Sequence, residues 1–436
     1  TYSALVSVVA DLGFSTLYVR EGARHPSSLV RFLNNVASAK VLLAVGTLPV
    51  LAGALALSGL SSLLLPTFAI MVLAAYALLL RNTLYALQRL GLEIVAIILE
   101  SPVLLGLVLL GIKVHGGIAY FMWAYAISYG ITCVYFLVAL TAKKMVRPRW
   151  ELDLGLLRPW LRAGLPLAVT YIFTTVYFKV DVPILQHFRS YDEVGWYTLA
   201  YKPFEALLFL PMTLRTVIFP VMSIYHRSSP HLVATAAEKF FKALALLGWP
   251  ITVGLFLMAP QINDLLHLFP QSEASLRILA LAVVFLFVDN TFAATFNAID
   301  RQKTFAYIAL TGLVINVALN LVLIPLYGYL GASWSVVLTE MALVSIGWIV
   351  LRSVLAPLPV VRSCWRIIIA GAIMGAFVHL AHPLGRLHVI AVIVVAAALY
   401  AGALLALGAI DAEERRLALG SLPSRRGARA ARRLAD

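Results

Sequence analysis

Polar positions are rare in this chain and arrive at intervals. Apolar runs of roughly 20 residues, the length that carries a helix across a bilayer core, recur from one end to the other. The pattern predicts about thirteen spans, at approximately 1–19, 37–58, 64–86, 91–112, 117–141, 161–187, 196–222, 238–260, 275–299, 303–324, 328–353, 364–382 and 387–409. The expected fold class is therefore an all-α polytopic membrane protein.

Composition agrees. With 62% hydrophobic and 12% charged residues and a mean hydropathy of +0.93, the chain is too apolar for a soluble protein of 436 residues. A formal charge of +14 would suggest nucleic acid in a soluble domain, but here the basic residues collect in alternate loops. Arg20, Arg24, Arg31 and Lys40 follow the first span, Arg81 and Arg89 flank the end of the third, and Lys143, Lys144, Arg147, Arg149 and Arg158 follow the fifth. His226, Arg227 and Lys239, then Arg301 and Lys303, then Arg352, Arg362 and Arg366 continue the series. The intervening loops, such as SGLSS at 58–62 and QINDLLHLFPQSE at 261–273, are neutral or acidic. This is the positive-inside pattern, so no nucleic-acid partner is implied. It places the C-terminus in the cytoplasm and runs the first span from outside to inside. An additional helix is then expected upstream of Thr1, for about fourteen in all. Cys133 and Cys364 lie toward cytoplasmic span ends, where disulfides are disfavoured, and read as packing residues. The Arg-rich stretch 410–436 reads as a basic cytoplasmic tail that reinforces orientation or touches anionic membrane lipid.

An internal repeat organises the spans. YSALVSVVADLGFSTLYVR (2–20) and YTLAYKPFEALLFLPMTLR (197–215) share a frame, with Tyr2 to Arg20 and Tyr197 to Arg215 both 18 residues apart. RNT at 81–83 recurs as DNT at 289–291. Spans one to five thus pair with seven to eleven, and the sixth would pair with the upstream helix. The expected organisation is an N-terminal lobe at 1–142, a basic linker at 143–160, a C-terminal lobe at 161–353, two additional helices at 364–409 and the tail. Two six-helix lobes repeated in one orientation are an architecture of alternating-access transporters.

DLGFSTLYVREGAR (11–24), GLPLAVTYIFTTVYFKVDVPIL (164–185) and VGWYTLAYKPFEALLFLP (194–211) resemble the bacterial oligosaccharide flippases, polysaccharide biosynthesis proteins of the multidrug/oligosaccharidyl-lipid/polysaccharide exporter superfamily, over residues 1 to about 350. The resemblance implies a multi-pass protein of the bacterial cytoplasmic membrane. Two six-helix lobes would flip an undecaprenyl-pyrophosphate-linked oligosaccharide to the outer face, alongside the polymerase and glycosyltransferases of the same pathway. It implies no cofactor beyond coupling to a proton or sodium gradient. The two C-terminal helices are similar to those of lipid-linked peptidoglycan precursor flippases, where they accompany a lipid-tail groove.

Charges inside the spans need a reason, because each costs about 2.5–3.5 kcal/mol on insertion scales. Lys202 lies about 9 Å below the outer end of its span and Lys179 about 12 Å below that of its neighbour, with Asp181 and Glu205 in the same layer. Arg215 and Arg20 occupy corresponding places in the repeat. One reading is a water-filled cationic cleft in which Arg20, Lys179, Lys202 and Arg215 hold the pyrophosphate and acidic sugars, tyrosines including Tyr171, Tyr177, Tyr197 and Tyr201 meet sugar hydroxyls, and Asp181 and Glu205 couple an ion. The other makes Lys202 and Glu205 a structural ion pair and lets the arginines snorkel. Residues 179 and 181 are about 200° apart on an ideal helix, so both face the cleft only if Pro183 distorts the backbone. Glu100, Asp289 and Glu340 are further candidates for an ion site or for interhelical hydrogen bonding. No phosphate-binding Gly-rich loop, metal-spaced histidine cluster or nucleophile motif is present, which argues against an enzyme. A drug exporter on the same fold and a non-transporting envelope scaffold are the rival functions.

Overall fold

The computed structural model describes residues 28–87, 89–229, 231–355, 360–381 and 386–409, together with Ser7 and Tyr18. Among them every regular element is a helix, and eleven helices are long and apolar enough to cross a membrane. Apart from Ser7 and Tyr18, the first predicted span lies outside the described residues, as do Arg20 and the basic tail. The chain divides into two compact units between His187 and Phe188. The span predicted at 161–187 thus groups with the first unit, whereas the repeat opened the second lobe with it.

The first unit contains α1 (Leu29–Leu57), α2 (Leu64–Ala86), α3 (Leu90–Lys113), α4 (Ile118–Ala142), α5 (Leu154–Lys179) and most of α6 (Asp181–Phe188). Its core joins Leu33 and Val36 of α1, Leu80 and Leu84 of α2 and Phe136 and Leu140 of α4. The spans predicted at 64–86, 91–112 and 117–141 correspond closely to α2, α3 and α4. α1 starts about two turns before its predicted span, because Arg31, Asn34 and Asn35 read as loop residues while their polar groups are in fact satisfied by the chain after α4.

The second unit contains α7 (Tyr191–Leu207), α8 (Phe209–Ser228), α9 (His231–Leu257), α10 (Ala259–Leu265), α11 (Ser272–Ala298), α12 (Gln302–Tyr327), α13 (Tyr329–Val354), α14 (Val360–Ala381) and α15 (Arg386–Ala406). α11 is its axis, packed by α7, α8, α9 and α13 and buried along most of its length. Lipid supplies no hydrophobic drive between helices, so close approach depends on small residues. A Cβ on Gly347 of α13 would stand 2.6 Å from the Phe292 ring of α11, and one on Gly248 of α9 3.1 Å from Phe287. α14 packs on α9 and on α15.

The repeat read from the sequence recurs in the packing. Contacts of α1 with α2, α2 with α4 and α3 with α4 in the first unit have counterparts in α9 with α11, α11 with α13 and α12 with α13 in the second.

Two predicted spans are broken helices. Pro183 cannot hydrogen-bond to the Lys179 carbonyl and Pro211 cannot hydrogen-bond to that of Leu207, four residues earlier in each case. The helix accordingly stops at Val180 between α5 and α6, and at Leu208 between α7 and α8. Pro102, Pro203 and Pro220 sit inside helices that continue, so proline alone does not decide the break.

Candidate functional site

In the second unit, α7 begins at Ser190, whose hydroxyl accepts from the Glu193 amide, and presents two chemically different faces. Tyr197, Ala200, Tyr201 and Phe204, at helical i, i+3, i+4 and i+7 spacing, are buried. The Tyr197 and Tyr201 rings lie 5.7 Å apart and those of Tyr201 and Phe204 5.1 Å. Tyr197, expected to offer its hydroxyl to a sugar, is only 1% exposed and is packed rather than presented. The apolar stripe that buries it was readable from its spacing. On another face, Lys202 Nζ lies 2.8 Å from Glu205 Oε2, with 68% of the lysine and 35% of the glutamate side chain exposed. This is the i,i+3 ion pair that the sequence allowed.

Arg215 stands differently. It is half-buried on α8, which packs against α11, and it feels the charge of Asp289 on α11. No described residue forms a salt bridge or hydrogen bond with its guanidinium. Asp289 Oδ1 is shielded from solvent and has no hydrogen-bond partner among the described residues. The packed helices α8 and α11 thus carry one predicted cargo ligand and one predicted ion-coupling residue, with the Asp289 Oδ1 acceptor unused among the described residues.

The first unit holds Lys179, Asp181 and Glu100. The break at Val180 separates Lys179, the last residue of α5, from Asp181, the first of α6, so the ideal-helix angle between them no longer applies. Asp181 is 4% exposed and accepts from the Val182 amide at 2.9 Å. A carboxylate suits this position at the start of a helix. Glu100 is committed to neighbours: its Oε2 lies 3.3 Å from Arg81 Nη2 and accepts from Thr132 Oγ1 at 3.1 Å. Arg81 also contacts Glu93 at 3.4 Å. Arg81 and Asp289 are the opening residues of the repeated RNT and DNT, so the repeat has inverted the charge. In the first unit that position is neutralised by two glutamates, while in the second it faces Arg215.

The model of the polysaccharide biosynthesis protein family matches residues 2–226, just over half of the chain. The chain belongs to this family. The MatE model matches residues 166–322. An uncharacterized membrane protein of Methanocaldococcus jannaschii is 33% identical over 78 residues, which is 18% of this chain and 19% of that relative's length. Solved structures share the fold at low identity. Lipid II flippase MurJ in an inward closed conformation superposes with a TM-score of 0.67 at 15% identity, covering 92% of this chain and 83% of its own. A multidrug resistance MATE family transporter of the MOP superfamily, inward-facing, gives 0.67 at 16% identity over 81% and 87% of the two chains. A MOP superfamily transporter from Pyrococcus furiosus, described by the reversed polarity of its binding pocket, gives 0.53 at 18% identity over 81% and 85%. The chain is a membrane protein with the MOP transporter fold.

One polar constellation in this family member escaped the sequence reading. The segment after α4 is clasped to the start of α1. The Asn34 side chain donates to the Arg147 carbonyl and accepts from the Arg149 amide, each at 3.2 Å. Asn35 accepts from the Asp153 amide at 2.6 Å, and Ser38 accepts from the Glu151 amide at 3.1 Å. Asp153 caps α5 by accepting from the Gly155 and Leu156 amides and pairs with Arg31 at 2.6 Å. The Arg31 hydrogen bond, then the Leu156 amide, hold the Asp153 carboxyl below the usual aspartate range. A depressed folded value means the contribution is present above the ordinary aspartate pKa of about 3.9 and lost as pH falls through the lower folded value. The clasp is therefore expected to be intact at neutral pH. Asp153→Ala should speed amide hydrogen exchange at Gly155 and Leu156 without changing exchange along α4. Two asparagines in succession at the head of an apolar run were the available signal.

Proposed function

We propose that this chain moves a polyprenyl-pyrophosphate-linked oligosaccharide from the cytoplasmic to the outer leaflet by alternating access, for cell-surface polysaccharide assembly. Family membership supports the class of cargo, and Arg215 is the observation that carries the reading. Arg81 and Lys202 have carboxylate partners within salt-bridge distance, whereas among the described residues none engages the Arg215 guanidinium, and its donors suit a ligand. A planar guanidinium meets phosphate oxygens through paired, charge-assisted hydrogen bonds. Lys202, on α7 of the same unit, is a secondary contact in this scheme. When a pyrophosphate occupies Arg215, Asp289 loses its countercharge, and a buried carboxylate without one takes up a proton or sodium ion. Cargo and cation then bind differentially to two states of the protein, which is the condition for one to drive the other. Asp181 and Glu205, expected from the sequence to perform this exchange, remain the alternative pair.

The reading is tested in cells that lack their own oligosaccharide flippase: expression of this chain restores surface glycan, and absence of glycan from cells containing correctly inserted protein counts against it. The MatE match favours drug export as the second reading. That reading requires changed sensitivity to cationic drugs and unchanged surface glycan. Sidedness has its own test. Cysteines replacing Ser62 and Gln271 should react with an impermeant thiol reagent in intact cells, and one replacing Ser228 should not. Labelling at 228 from outside would invert the orientation.

A further inference from the structure

The repeated helix triplet leaves a crevice in each unit, at opposite ends of the helices. In the first unit, Leu33 and Val41 of α1, Leu73 and Leu80 of α2 and Cys133 and Leu137 of α4 line a cavity of about 470 Å³. That volume is within the range of single-ligand pockets. Val146, Pro148, Arg149 and Trp150, from the basic segment after α4, complete its wall. The rim reaches the molecular surface at Val41, Leu137 and Trp150, which are 37%, 39% and 64% exposed.

The polar atoms of the lining are already engaged with one another. Tyr76 donates to the Ala37 carbonyl at 2.6 Å, and Asn34 is held by the backbone at Arg147 and Arg149. The interior therefore asks for an apolar occupant. The rim asks for an anion: Arg147 and Arg149 are exposed, and among the described residues neither guanidinium has a carboxylate within salt-bridge distance. Lys143 and Lys144 are exposed just before them.

We propose that this crevice binds one anionic phospholipid from the leaflet beside the basic segment, with an acyl chain between α1, α2 and α4 and the phosphate on Arg149. Charge complementarity selects this occupant, since basic pockets between membrane helices are sites for acidic headgroups. Trp150 at the rim fits the interfacial position that tryptophan prefers. The crevice of the second unit lies between the counterpart helices α9, α11 and α13, at their other end, and lacks such cations. It measures about 400 Å³, and its lining, which includes Trp249, Phe256, Phe285, Trp334 and Met341, contains no charged residue. An apolar gap alone would accept any acyl chain, and the arginines make the first crevice selective. Because the Arg147 carbonyl and Arg149 amide also hold Asn34, the lipid would rest against the clasp that fixes the start of α5.

Full-length protein, purified and delipidated in detergent, is offered equal amounts of phosphatidylglycerol and phosphatidylcholine, and retained lipid is counted by native mass spectrometry. One phosphatidylglycerol should be kept in preference. Arg149→Gln should reduce that preference roughly fivefold, the effect of about one surface cation. Arg149→Lys should preserve it, and Ala37→Phe, which fills the cavity, should abolish retention. Arg352→Gln, an exposed cation on α13, should change nothing. Arg149→Gln alters only an exposed side chain and carries the test whether or not Ala37→Phe folds. An undiminished preference in Arg149→Gln, an equal loss in Arg352→Gln, or, when a polyprenyl phosphate is added to the mixture in equal amount, its retention in preference to phosphatidylglycerol would overturn the proposal.

Discussion

Arg215→Gln is expected to lower export of the lipid-linked glycan roughly 10- to 150-fold at limiting cargo, the loss of about 1.5–3 kcal/mol from hydrogen bonds to a charged ligand. Arg215→Lys, which keeps the charge but not the planar fork, should fall between the two. The single variant also strips Asp289 of a countercharge, and so lost export by itself would not separate cargo binding from a structural pair. The double variant Arg215→Gln, Asp289→Asn makes the separation. It removes both charges and restores local neutrality, so a purely structural pair predicts recovered export, measured as surface glycan per inserted protein. Cargo binding predicts that export remains low. Recovery in the double variant would remove Arg215 from the site.

Asp289→Asn is expected to abolish stimulation by an imposed proton or sodium gradient while leaving slow, gradient-independent movement of the lipid-linked glycan. The substitution keeps the shape of the side chain and removes the charge that alternates between Arg215 and a cation. Asp181→Asn and Glu205→Gln are the informative comparisons. Glu205 pairs with the exposed Lys202 at 2.8 Å, and exposed pairs of this kind contribute little. Gradient stimulation in Asp289→Asn equal to that of wild type, combined with its loss in Asp181→Asn, would move the coupling site from the second unit to the first.

Much of this is legible in the sequence. Hydropathy located the helices because a membrane span must satisfy its own backbone hydrogen bonds and leaves a long apolar signature. The repeat in Tyr2–Arg20 and Tyr197–Arg215, and in RNT and DNT, anticipated the matching helix contacts of the two units. Periodicity at 197, 200, 201 and 204 already marked Tyr197 as a packing residue, but its hydroxyl drew attention to chemistry instead. Other features were hidden for physical reasons. Hydropathy measures how apolar a run is and not whether its helix is continuous, so the spans read through Val180 and Leu208, and only Pro183 and Pro211 hinted at a distortion there. The pairing of Glu100 with Arg81 joins residues 19 apart on two helices, and Arg215 and Asp289 lie on the packed helices α8 and α11, relations that no local spacing encodes. The clasp between Asn34 and the chain beyond α4 spans more than a hundred residues and likewise became visible only when α1 and the linker were placed together.

The most direct measurement is transbilayer movement of a fluorescent polyprenyl-pyrophosphate oligosaccharide in vesicles reconstituted with the full-length protein, read as the fraction of label reached by an impermeant quencher. Wild type should move the glycan between leaflets faster than protein-free vesicles, with acceleration by an ion gradient and loss of movement in the Arg215→Gln, Asp289→Asn protein. Movement no faster than in protein-free vesicles, from protein shown to be folded and inserted, would contradict the assignment of this chain as an oligosaccharide flippase.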